Sequence, residues 1–311
     1  MIDYRNGIFA IDSGYVRPQL MAQHLVVDAG RAAFVDTGSN ACLPRALGAL
    51  RALGLANDAV DYVFLTHIHL DHAGAAGAMM QAFPNARLVV HPRGVRHMVD
   101  PGKLTAATEE VYGRETARAL YGELIPVPAE RIVEATDGLV VRLGGRELVC
   151  FDAPGHAKHH IFIHDRSANG IFSGDAFGIC YRELDTAGRH LLFPTTSPAQ
   201  FDPVAMRASI DRMLDLAPEA IYLTHFSRVA PPRALAVDLL RRIDASVAIA
   251  REHAGAGAGT AAAIEQALTR YLLSEARAQG VAQSDEEIVA LWRTDLELNA
   301  QGLAIWLEAG S

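Results

Sequence analysis

The chain is poor in cysteine. It has three in 311 residues, Cys42, Cys150 and Cys180, with no spacing pattern. That argues against a disulfide scaffold and a sulfur-rich metal site, and makes a reduced, cytoplasmic interior the expected setting. Positive charge is also short: 28 Lys and Arg stand against 36 Asp and Glu, a formal net charge of −8. A general attraction to DNA, RNA or anionic lipid is therefore not expected. Long apolar runs are missing too. No stretch offers about 18 uninterrupted apolar residues, so no segment reads as membrane-spanning. The opening MIDYRNGIFAID has no basic region followed by an apolar stretch, so no signal peptide is expected. With 50% apolar and 21% charged residues, the chain reads as a soluble globular protein with a full core.

Strands and helices alternate along the first half. HLVVDAG (24–30) and RAAFVDTG (31–38) read as a hairpin turning at Ala29-Gly30. Helical spacing runs over 42–55, an apolar strand over 60–67, a small-faced helix over 72–83 and a strand over 86–92. This alternation predicts an α/β protein with helices covering a sheet. Residues 93–125 read as a mostly helical insertion. Strands return within 131–155, 159–165, 169–177 and 219–227. Beyond 230 the pattern turns helical, over 233–253 and 260–279, joined by a flexible GAGAG (255–259). A further helix begins near Ser284, where Glu287 completes a capping-box pattern. The expected division is a catalytic domain, 1–230, and a helical extension, 231–311. Trp292, Leu296, Leu303, Trp306 and Leu307 give the extension an apolar face. Burial in its own core is preferred for that face over a subunit contact, and a homodimer stays open.

LTHIHLDHAG (65–74) gathers His67, His69, Asp71 and His72 just after the apolar strand. Residues two apart on an extended chain point the same way, so His67 and His69 can reach one ion together. Asp71 and His72 fall where the chain turns into a helix and can face a neighbouring point. Later strand ends carry His156 in DAPGH, Asp175 in FSGDAFG and His225 in YLTHFS. Any one histidine could simply cap a strand. The whole set, buried without a cation, would leave lone pairs and protons unmatched. Imidazole and carboxylate ligands without thiolate suit Zn, Mn or Fe.

With these residues in place, the sequence resembles the metallo-β-lactamase superfamily. THIHLDHAG matches that family's T-H-x-H-x-D-H-x-G motif, and PGH (154–156), SGD (173–175) and TH (224–225) match its later motifs in order. The likeness covers about 12–227. It implies a four-layer αβ/βα sandwich with two metals at one edge between two sheets. Carried over by motif, His67, His69 and His156 would hold the first metal, Asp71, His72 and His225 the second, and Asp175 would bridge them. PGHAKHH also resembles the PGHTxGH of glyoxalase-type thioesterases and persulfide dioxygenases. Ala157 and His159 replace the usual Thr and Gly, leaving His160 as either a donor behind the ligands or a structural histidine.

The expected activity is hydrolysis of a small ester, thioester or lactone by a hydroxide bridging two divalent ions, taken as Zn2+ with Fe or Mn as alternatives. Asp71 is the candidate to orient that nucleophile and shuttle its proton. Two rivals stay open: a mononuclear iron persulfide dioxygenase using His67, His156 and Asp175, and a non-catalytic metal-containing binding protein. Softer candidates surround the site. Tyr181 either touches substrate or packs a loop. Arg93, Arg96, His97 and Lys103 either attract an anionic substrate or form a solvated face. Phe193 and Phe201 either floor the pocket or belong to a proline-shaped loop.

Overall fold

The computed structural model describes residues 1–255 and 257–310; Ala256, inside the joint expected over 255–259, lies outside them. Among the described residues thirteen strands form two sheets. The first holds β1 (Ile2–Asp3), β2 (Ile8–Asp12), β3 (Ala22–Asp28), β4 (Arg31–Val35), β5 (Val60–Phe64), β6 (Arg87–Val90) and β7 (Ile132–Glu134), in that spatial order. The second holds β8 (Val140–Leu143), β9 (Arg146–Asp152), β10 (Ile161–Asp165), β11 (Gly170–Gly174), β12 (Ala220–Leu223) and β13 (Ser227–Val229). The helices are α1 (Leu43–Ala52), α2 (Leu70–Ala73), α3 (Ala76–Ala82), α4 (Pro92–Val99), α5 (Gly102–Tyr112), α6 (Arg114–Tyr121), α7 (Pro203–Asp215), α8 (Pro232–Glu252), α9 (Thr260–Gln279) and α10 (Asp285–Glu308).

Strand alternation builds the layers. In β4, Ala33 and Val35 face the second sheet and pack with Phe64, Leu148, Cys150, Ile163 and Phe172. Ala32 and Phe34 face the other way, onto Leu50 of α1 and Met79 and Met80 of α3. In β11, Phe172 joins the inter-sheet core while Ile171 packs among α7–α10. Apolar side chains on both faces leave no solvated side, so helices cover each sheet from outside. The result is the four-layer αβ/βα sandwich with a C-terminal helical extension.

The β3–β4 hairpin turns at Ala29 (φ 47°) and Gly30 (φ 77°), with Asp28 paired to Arg31. Two positive φ values suit the right-handed twist of the flanking strands. Beyond it, β4, β5, β6 and β7 run parallel, as do β11 and β12. Parallel neighbours end at a common edge, which is how distant strand ends meet. Among the described residues no helix is long and apolar enough to cross a membrane.

One expected element breaks. The helix read over 72–83 is two helices, α2 and α3, interrupted at Gly74-Ala75. The His72 carbonyl accepts from Thr37 N–H and the Ala75 N–H donates to Gly38 O, so these groups bond to the 37–38 turn. A Cβ on Gly74 would lie 3.1 Å from Gly38 O. The glycine thus permits the approach that holds the ligand turn against the end of β4.

The extension packs through α8, α9 and α10 against the outer side of the second sheet. Trp292 is fully buried against Phe193, ring centroids 5.3 Å apart, and Phe201 meets Trp306 edge-on at 6.2 Å. Leu296 and Leu303 are buried, and Trp306 and Leu307 partly so, in the same cluster. Of the two readings left open for Phe193 and Phe201, pocket floor or loop packing, the ring contacts with the tail's tryptophans fit the second.

Candidate metal centre

The strand ends deliver the seven motif residues to one place. After β5 the chain bends at Thr66 and again at His69, which precedes α2 with φ −63° and ψ 147°. His67 Nε2 and His156 Nε2 lie 2.9 and 3.0 Å from His69 Nδ1. Nitrogens bound to one tetrahedral ion at 2.0–2.1 Å sit about 3.4 Å apart, so this trio has the scale of a ligand set. A second group, Asp71, His72 and His225, lies beside it. His225 Nε2 is 3.2 Å from Asp71 Oδ2, and His72 Nε2 is 3.5 Å from the same oxygen. Asp175 stands between: Oδ1 is 3.4 Å from His72 Nε2, and Oδ2 is 3.6 Å from His156 Nε2.

The outer nitrogens of four histidines have partners. His67 Nδ1 meets Thr66 Oγ1 (3.1 Å), His72 Nδ1 meets Asp36 Oδ2 (2.8 Å), His156 Nδ1 meets Thr195 O (3.3 Å) and His225 Nδ1 meets Leu20 O (2.8 Å). For the last three the partner is an acceptor, so Nδ1 carries the proton and Nε2 points inward as a lone pair. Inward lone pairs then face carboxylates. His72 Nε2 and Asp175 Oδ1 are buried with no hydrogen-bond partner. Acceptors converging on acceptors in a buried space require cations, and two divalent ions fit this donor set.

The carboxylates draw positive charge to this place, and either a proton or a cation can supply it. Burial, then the neighbouring histidines, holds His67 and His69 well below the usual imidazole range. For His72 burial works against the charged form, but Asp71, Asp175 and Asp36 overcome it and raise its pKa well. For Asp175 burial opposes ionisation, yet His72 and His225 hold the carboxyl well below its ordinary value.

Three residues at the site escaped the sequence reading. Asp36, fully buried after β4, accepts from Thr66 N–H (2.8 Å), Thr66 Oγ1 (2.9 Å), Thr224 Oγ1 (2.6 Å) and His72 Nδ1. His159 stands edge-on to His69 at 5.7 Å, its pKa lowered to about 4 by burial first and His156 second. Asp295 on α10 accepts from Tyr181 Oη at 2.7 Å. Nothing in the sequence marks Asp36 or Asp295 as part of the site; for His159 the departure from the thioesterase-like motif was the available signal.

The softer candidates are placed as follows. Tyr181 is 2% exposed and gives its hydroxyl to Asp295. His160 Nε2 accepts from the Asp175 main-chain N–H at 3.2 Å, and its ring stacks on His67 at 4.8 Å. Of the two readings left open for His160, this contact makes its Nε2 an acceptor for the main chain of Asp175. Arg93 lines a groove of about 640 Å³ together with His91, Asp152, Lys158 and His160. Arg96 bonds its neighbour His97 on the outer side of α4, and Lys103 is exposed. A further cluster, Cys180, Asp185 and His190, also has ligand-like spacing. There Arg182 Nη1 donates to Asp185 (3.2 Å) and lies 2.8 Å from His190 Nδ1, and burial pushes the Cys180 thiol up to about 12. The guanidinium already supplies the cation at that place.

Fold and site together define a metal-binding α/β sandwich of the metallo-hydrolase kind. The model of the metallo-beta-lactamase superfamily matches residues 22–225, and the chain belongs to that superfamily. The chain is 31% identical over 154 residues to a hydroxyacylglutathione hydrolase of Stenotrophomonas maltophilia, covering 49% of this chain and 44% of that one. It is 32% identical over 116 residues to acyl-coenzyme A thioesterase MBLAC2 of Gallus gallus, covering 35% and 39%. The chain thus spans less than half the length of these two curated relatives. The crystal structure of the archaeal metallo-beta-lactamase superfamily protein ST1585 from Sulfolobus tokodaii superposes with a TM-score of 0.64 at 23% identity, over 96% of this chain and 98% of that one. At that identity the likeness speaks to fold.

Proposed function

We propose that the protein is a dinuclear metal-dependent hydrolase of a small ester, thioester or lactone. The observation that carries this reading is Asp175 standing between two ligand groups, with one oxygen toward each. In this reading His67, His69 and His156 would hold one ion, Asp71, His72 and His225 the other, and Asp175 would serve both. When bound, the pair, Zn2+ by preference, would supply Lewis acidity and a nucleophilic hydroxide near neutral pH. The protein's own contribution is positioning and proton transfer. Asp71 is the more open carboxylate, its side chain 26% exposed against 8% for Asp175. It can therefore orient the attacking group and pass a proton to the leaving group. Asp175 is sealed and suited to holding charge. The names of the hydrolase and thioesterase relatives support an acyl substrate, and the thioester is preferred within that class.

The test is metal analysis of the purified protein joined to an ester, thioester and lactone panel and to oxygen uptake with glutathione persulfide. Two ions per chain with acyl turnover is the expected result. One iron with rapid oxygen consumption replaces this reading by the dioxygenase, and bound metal with no turnover of any class replaces it by the binding protein.

A further inference from the structure

We infer that α10 is a positioning element of the metal centre and that Asn299 is the residue through which it acts; this rests on the metal-site reading above. Asn299 is 5% exposed on a helix face otherwise made of Leu296, Ala300 and Leu303. A buried amide there needs partners. It finds them on the 194–196 segment. Asn299 Oδ1 accepts from Thr196 N–H at 2.7 Å, and Nδ2 donates to Pro194 O at 2.9 Å. The Asn299 carbonyl also accepts from Thr196 Oγ1 at 2.9 Å. The helix thus grips both neighbours of Thr195.

Thr195 is bonded toward the metal cluster. Its carbonyl meets His156 Nδ1 at 3.3 Å, and its hydroxyl donates to Asp175 O at 3.0 Å. The first contact fixes the His156 tautomer that leaves Nε2 inward; the second steadies the residue shared by both ligand groups. One turn beyond Asn299, Gly302 lets the helix backbone close on the same segment. A Cβ there would lie 1.7 Å from Thr196 O. A side-chain amide bonded at both ends, the Asn299 main-chain carbonyl and a glycine without clearance fix the height of Thr195 against the helix. Trp292 and Leu303 anchor the helix itself by burial.

Metal affinity by chelator competition and the visible spectrum of the Co2+-loaded protein test this, with Asn299→Ala, Thr195→Val and Leu268→Ala beside the wild type. Leu268 lies in the tail core on α9 and is 3% exposed, so its truncation loosens the extension without removing a bond to 194–196. Asn299→Ala is expected to lower affinity for one ion about 10–100-fold and to shift the Co2+ bands. Thr195→Val, which keeps every bond from the tail, shifts the bands as well. Leu268→Ala lowers the Tm yet leaves affinity and bands in place. Unchanged affinity and bands in Asn299→Ala overturn the proposal, as do equal losses in Asn299→Ala and Leu268→Ala. Should Asn299→Ala not fold, Thr195→Val decides, and unchanged bands there overturn it. These readouts concern metal, so the expected pattern in a protein without acyl turnover supports the proposal while sinking the hydrolase reading. A wild type that takes up no metal overturns both.

Discussion

Asp36 Oδ2 receives the Nδ1 proton of His72 across 2.8 Å, and neither side chain touches solvent. The bond fixes which nitrogen of His72 faces the cluster. It also ties the end of β4 to the ligand turn after β5, since Asp36 takes the Thr66 N–H as well.

Asp36→Asn is therefore expected to loosen one metal. An amide keeps an oxygen on the His72 Nδ1–H only by turning its NH2 onto the Thr66 N–H, so in either orientation one buried N–H is opposed and the link between β4 and the ligand turn is weakened. Affinity for that ion should fall about 10–100-fold, read by competition with a chelator. An unchanged constant would show that His72 does not need this partner.

Asp71→Ala should suppress turnover far more than it alters folding. Its carboxylate is placed for proton transfer, a contribution of about 10²–10⁴ in rate. Turnover, metal content and Tm measured together separate that loss from simple loss of an ion. Full activity in the variant rejects the assigned role.

Stripping the metals should destabilise the chain, because the cluster then keeps buried lone pairs facing one another. Resupplying an ion at about 1,000 times its Kd adds about 4 kcal/mol per site if it binds only the folded form. Melting curves with and without chelator check this, and coincident curves contradict it.

Asp295 gives a pH dependence. Burial, partly offset by Tyr181, raises its pKa to about 6 from 3.8. A carboxyl raised on folding favours the native state below about pH 4 and loses that benefit as pH climbs through about 6. The side chain is only half-buried, so solvent screening trims the effect to about 1–2 kcal/mol. Asp295→Asn keeps an acceptor for Tyr181, so its Tm should match the wild type near pH 4 and exceed it above pH 6. Parallel Tm curves across that range would refute the assignment.

The metal cluster was largely legible because its chemistry is local. Four residues able to hold a metal crowd one strand exit, and the others follow strands that the apolar pattern already marks. Asp36 was not, since it lies 30 residues before Thr66 and only the parallel pairing of β4 with β5 brings them together. The 72–83 helix was misread as continuous because the bonds that break it come from residues 37–38, outside any helical window. Asn299 did leave a trace: a lone amide on an apolar helix stripe. Its partners in 194–196 could not be read from that stripe, because they depend on how the tail docks.

Gly302 turns the tail into a key cut for one lock. Shifting α10 by a turn would drive a side chain into the Thr196 carbonyl, so the helix has a single admissible register. A tail borrowed from another protein would have to carry a glycine at the same height, and matching greasiness would not substitute for it.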